Sequence, residues 1–230
     1  SDLNIHLADF PNNIKLLEEI LPLAQELNDE ESLAKILFSI GRCYYYIGQQ
    51  SIALPYYEQT IPIAEKLKLD KMLALSYCSI GRAQAMDAYL DEAVETIENG
   101  LKTLPKDEIL ENIYALGVLN QTNAQLGRKE KVIEILDELT SQYGNTDNDM
   151  INQFIQFYRA SGMGLVGLKD QAISECNKAL TMARELKNKT IEIYSYYFLG
   201  CAQASKGDYE SAIKSISKTI NTAKEFNIKI

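Results

Sequence analysis

The chain has 230 residues, of which 46% are hydrophobic and 24% charged, with 12 Gly and 5 Pro. A balance so near the globular average excludes wholesale disorder and favours helix over strand. The formal net charge of -9 repels a phosphate backbone, so nucleic acid is not expected as a partner of this segment, and the acidity reads as a solvated surface or a preference for basic partners.

The elements follow in chain order. Ser1-Asp2-Leu3-Asn4 does not open a signal peptide, and no stretch approaches the run of about 20 apolar residues that spans a bilayer. No membrane partner is expected, and a cytoplasmic location is. Residues 11–28 read as the second helix of a preceding unit, because Leu21-Pro22-Leu23-Ala24 returns forty residues later as Ile61-Pro62-Ile63-Ala64. Five helix pairs are then expected: 32–47 with 50–68, 72–87 with 90–104, 108–126 with 129–142, 149–166 with 169–186, and 189–206 with 209–226. Pro22 and Pro62 fall inside second helices, where each removes a backbone donor and bends the helix.

The pairs repeat one another. Ser39-Ile40-Gly41-Arg42 returns as Ser79-Ile80-Gly81-Arg82. Turns fall at Gly48, Ala88, Gly127, Gly167 and Gly207. Five residues after each stands a small or modest apolar residue (Ala53, Ala93, Val132, Ala172, Ala212), and four residues further a mostly larger one (Tyr57, Ile97, Leu136, Cys176, Ile216). These spacings share one helix face, so each unit is expected to be helix, turn, helix, with the small residue allowing close approach and Asp208 capping the last helix. The units run over about 31–70, 71–106, 107–146, 147–187 and 188–230, after a partial unit at 1–30. Both ends are expected to cut through an array, making the chain one segment of a longer protein.

This grammar resembles the tetratricopeptide repeat family. The signature positions are met by Ile40-Gly41-Arg42-Cys43-Tyr44 with Ala53 and Tyr57, and by Leu199-Gly200-Cys201-Ala202-Gln203 with Ala212 and Ile216. The units depart from the family in their length of about 40 residues and in lacking the terminal Pro. In the third unit Asn120 also replaces the glycine of the Leu-Gly pair, and in the fourth Arg159-Ala160 replaces the whole pair. Long units of this kind are similar to those of intracellular peptide-pheromone receptors, adaptors of the kinesin-light-chain kind and sensor segments of bacterial regulators. The resemblance implies an all-α fold: a right-handed α-solenoid of antiparallel helix pairs, a superhelix whose first helices line a concave groove for a peptide or protein.

On that expectation the groove carries Phe38, Arg42, Tyr45 and Tyr46 from the first unit, with Arg82 and Met86, beside Cys78, from the second. The third adds Tyr114 and Gln121, the fourth Phe154 and Phe157, and the fifth Tyr194 and Tyr197. Arg42 and Arg82, placed one above the other, either hold a carboxylate bidentately or pair with acidic neighbours. The aromatic residues either anchor a ligand or pack between helices.

Catalysis is not expected. His6 is the one histidine, and no phosphate-binding glycine motif is present. No cofactor and no metal are expected, since Cys43, Cys78, Cys176 and Cys201 lack zinc-ligand spacing and read as buried free thiols. The expected function is protein or peptide binding, as the regulatory or sensory module of a larger signalling protein or transcription regulator. The alternative is a structural segment that self-associates into a homo-oligomer through its end faces.

Overall fold

The structure, a computed structural model, describes residues 10–144 and 146–225. His6 lies outside the described residues, as does the side chain of Tyr46. Among the described residues the chain forms eleven helices and no strand. It divides into two compact units, residues 1–118 and 119–230.

The first unit holds α1 (Phe10–Glu26), α2 (Glu30–Tyr46), α3 (Gln50–Leu67), α4 (Asp70–Met86), α5 (Leu90–Thr103) and the start of α6 (Ile109–Gln125). The second holds the end of α6, then α7 (Lys129–Tyr143), α8 (Asp149–Leu165), α9 (Lys169–Glu185), α10 (Lys189–Lys206) and α11 (Tyr209–Glu225). The turns anticipated between paired helices carry left-handed backbone. Gly207 has φ 87°, and Ala88, the one turn without glycine, φ 67°. Asn28, Lys68 and Lys187 take the same conformation where second helices end, at φ 50°, 55° and 55°.

Close approach within a hairpin explains the glycines of the first helices. A Cβ on Gly41 would lie 2.9 Å from Cε1 of Tyr57, and one on Gly200 2.8 Å from Cδ1 of Ile216. The large residue of the second helix fills the space that glycine leaves. In the fourth repeat Ala160 replaces glycine, and the residue packed in the same cluster shrinks to Cys176. The methyl added at Ala160 is thus met by a smaller facing side chain, as close packing requires.

Polar side chains stitch helix to helix. The amide of Asn188 accepts from the Ile191 N–H at 3.2 Å, capping α10, and donates to Oε1 of Gln153 on α8 at 2.8 Å. Asp208 accepts from the Ser211 N–H at 3.1 Å and so caps α11. In the first unit Lys71 reaches Glu108 at 2.8 Å and Glu111 at 2.5 Å. These exposed or half-exposed pairs add little stability beside the buried apolar stripes.

The thiols differ from expectation at one place. Cys43, Cys78 and Cys176 are buried, but Cys201 is exposed. Six residues before its turn, Cys201 occupies the repeat position of Arg42 and Arg82, which are themselves only half-buried. Among the described residues no helix is long and apolar enough to cross a membrane.

Candidate protein-binding surface

In the first unit the anticipated residues divide into core and surface. Phe38 is only 9% exposed and packs with Ala53, Tyr57 and Ile80, its ring centroid 5.7 Å from that of Tyr57. It is therefore a core residue, a correction to its expected place in the groove. Cys78 is likewise fully buried, and burial pushes its thiol up to about 12. Met86 is 59% exposed, and its Sδ accepts from Nε2 of Gln50 at 3.7 Å.

Arg42 stands 5.8 Å from the ring centroid of Phe38, one turn earlier on its own helix. Arg82 stands 5.0 Å from the ring centroid of Tyr45, and its Nη1 lies 3.5 Å from the hydroxyl of Tyr114. Tyr45, Arg82 and Tyr114 belong to α2, α4 and α6, so one guanidinium joins three successive first helices. Cation–π contact holds it flat against the surface formed by these helices.

In the second unit the aromatic residues come together. Phe157 of α8 meets Tyr194 and Phe198 of α10 edge to face, at 6.4 and 6.0 Å between ring centroids, and Tyr197 meets Phe198 at 5.3 Å. Tyr194 and Tyr197 are 39% and 46% exposed. The charge of neighbouring Cys201, its hydrogen bond and then burial raise the Tyr197 phenol above its ordinary value of 10.0. Phe154 is half-buried, and Nε2 of Gln121 lies 3.5 Å from Oγ of Ser161. Phe198 was not anticipated from the sequence, because it follows the groove position by one residue and period alone directs it elsewhere.

Rings with apolar bodies and hydroxyl tips, held by edge-to-face packing, offer contact area at small entropic cost. Among the described residues no group of His, Cys, Asp and Glu is arranged to hold a metal ion.

Comparison with known proteins bears on the fold. The tetratricopeptide repeat family matches residues 3–66 and again residues 193–225. A family described as anaphase-promoting complex subunit 5 matches residues 142–199. No curated protein matches the chain. Among solved structures the chain is similar to BtubC (BKLC) from P. vanneervenii, at 14% identity over 97% of this chain and 94% of that one, with a TM-score of 0.68. It is also similar to two structures of a putative kinesin light chain with nearly identical TPR-like repeats from Podosopora anserina. For a point-substituted form of that protein the identity is 16% over 85% of this chain and 96% of that one, with a TM-score of 0.59. For the other form it is 18% over 83% and 95%, with a TM-score of 0.57. At such identities the likeness shows the fold, a solenoid of TPR-like helix pairs, and such repeats generally mediate protein–protein interaction. The segments 3–66 and 193–225 thus match tetratricopeptide repeats, within a chain whose whole fold is TPR-like.

Proposed function

We propose that the chain is a protein-binding scaffold whose first helices receive a peptide or protein, through the α8–α10 aromatic surface of its second unit. The observation that carries this reading is the pair Tyr194 and Tyr197, substantially exposed yet anchored on Phe157 and Phe198. Exposed rings held rigid are the residues that dominate binding energy at interfaces. The first unit would add a second patch from Arg42, Tyr45, Arg82, Met86 and Tyr114. A role as the regulatory or sensory module of a larger signalling protein or transcription regulator rests on the family resemblance alone, whereas the proposed division into repeats of about 40 residues within one array rests on the recurrence of the turns and of the Ser-Ile-Gly-Arg run. Replacing Tyr197 by a photo-crosslinking phenylalanine derivative tests the surface: irradiation in the native lysate should yield a discrete adduct, and its absence while a probe on α9 crosslinks would refute the placement.

A second reading, self-association, is favoured by the exposed stripe Leu16, Ile20 and Leu23 on α1, continued by Leu27 in the turn that follows it. Light scattering across a wide concentration range decides it: a constant monomer mass contradicts it.

A further inference from the structure

Eight residues before the turn, four of the five complete repeats place a buried aliphatic residue: Ile40, Ile80, Leu119 and Leu199. The fourth repeat places Arg159 there. Eight residues after the turn the other repeats carry Tyr56, Thr96, Ile135 and Ser215, and the fourth carries Glu175. The two departures meet. Nε of Arg159 lies 3.3 Å from Oε2 of Glu175, the two side chains being 24% and 10% exposed. Glu175 also accepts from Nζ of Lys178 at 2.8 Å and from the amide of Gln156. Nη1 of Arg159 donates to Oγ1 of Thr140 at 2.9 Å.

Withdrawing two charges from water is seldom repaid by their mutual attraction, and the other repeats build the same hairpin with an aliphatic residue. The pair is therefore no requirement of the fold. It lies against a cavity of about 370 Å³, a volume within the range of small ligand sites. Ile155 and Met182 give the cavity an apolar wall. Glu175 has donors on both oxygens, so its charge is committed to holding Arg159 and Lys178. Arg159 has five N–H donors, of which Nε and one on Nη1 are engaged among the described residues. The local balance of two cations and one carboxylate leaves one positive charge, which suits a monoanion. A phosphate would bring a second negative charge beside Glu175.

We propose that this cavity binds a carboxylate carried on an aliphatic stem and presented by a partner peptide, with Arg159 as its anchor and Glu175 as the residue that positions the guanidinium. The site is built from α7, α8 and α9 and stands independently of the aromatic surface. The carboxylate belongs either to a glutamate side chain or to a chain terminus, and two probes separate these sources: N-acetylglutamate with its α-carboxyl methylamidated, and N-acetylleucine. The glutamine analogue and inorganic phosphate serve as controls. Binding is read from the Met182 methyl resonance in the full chain and in the Arg159→Leu/Glu175→Ile variant, which installs the third repeat's own pair and leaves no charge stranded. One of the carboxylate probes should shift the signal saturably at millimolar concentration, and the variant should weaken it by roughly tenfold or more. Whichever probe binds identifies the source. Absence of a shift with both probes, an equal response from the glutamine analogue or phosphate, or an undiminished response in the folded variant would overturn the proposal.

Discussion

The side-chain amide of Asn120 occupies the space that a Cβ on Gly162 would need. Asn120 stands where the first, second and fifth repeats place Gly41, Gly81 and Gly200 and the fourth Ala160, so its side chain projects from a position that is elsewhere bare or a single methyl, and glycine appears instead at Gly162 on the next first helix. Gly162→Ala should therefore destabilise the protein by about 1–3 kcal/mol through overpacking. Asn120→Gly in the same chain should recover most of that loss. Urea unfolding of the single and double variants measures both, and additive effects would dissociate the two residues.

Ala88 holds a left-handed backbone that the other four turns give to glycine. Ala88→Gly relieves the Cβ clash but loosens the unfolded chain, and the balance should raise stability by about 0.5 kcal/mol. A lowered melting temperature would contradict this.

Burial raises the affinity of Glu175 for its proton, but the hydrogen bonds from Lys178 and Gln156 and the charge of Arg159 outweigh it, and its carboxyl is held below the ordinary 4.5. A group lowered in the folded state stabilises above its unfolded value and loses that contribution as pH falls through the folded one. Wild type should thus exceed Glu175→Gln by about 2 kcal/mol near neutrality, with the gap closing below pH 4.5. A gap independent of pH would remove the network from the stability of the fourth repeat.

Thiol labelling should discriminate sharply. Burial, foremost, pushes Cys78 and Cys176 up to about 12, whereas Cys201 is exposed. At neutral pH iodoacetamide should modify Cys201 in the native protein and reach Cys78 and Cys176 only after denaturation. Mass spectrometry of the labelled peptides checks this, and native labelling of Cys78 would contradict the packing of α4.

The helices were legible because each boundary carries local punctuation that recurs: the turn at Gly48, its echoes near every fortieth residue, and the cap at Asp208. Observed and anticipated boundaries differ by no more than two residues. The surface was less legible because periodicity fixes which residues share a repeat position, not how deeply each is covered. Phe38, Phe157 and Tyr197 all stand ten residues before a turn, yet Phe38 is buried against Tyr57 and Tyr197 is open. Cys201 was readable from the repeat register, as the counterpart of Arg42 and Arg82, but residue type argued for the core. Arg159 was visible as a departure from the pattern. Its partner Glu175 was not, because the contact crosses a hairpin and no motif marks it.

We propose that protein binding runs through the exposed rings of α10. Its most direct test is affinity capture from the native lysate with the wild-type chain, with Tyr194→Ser/Tyr197→Ser, and with Arg42→Ala/Arg82→Ala, all matched for helicity and melting temperature. A partner should be retained by wild type and lost from the tyrosine variant, with the arginine variant reporting whether the first unit contributes. Equal capture by wild type and the tyrosine variant would contradict it.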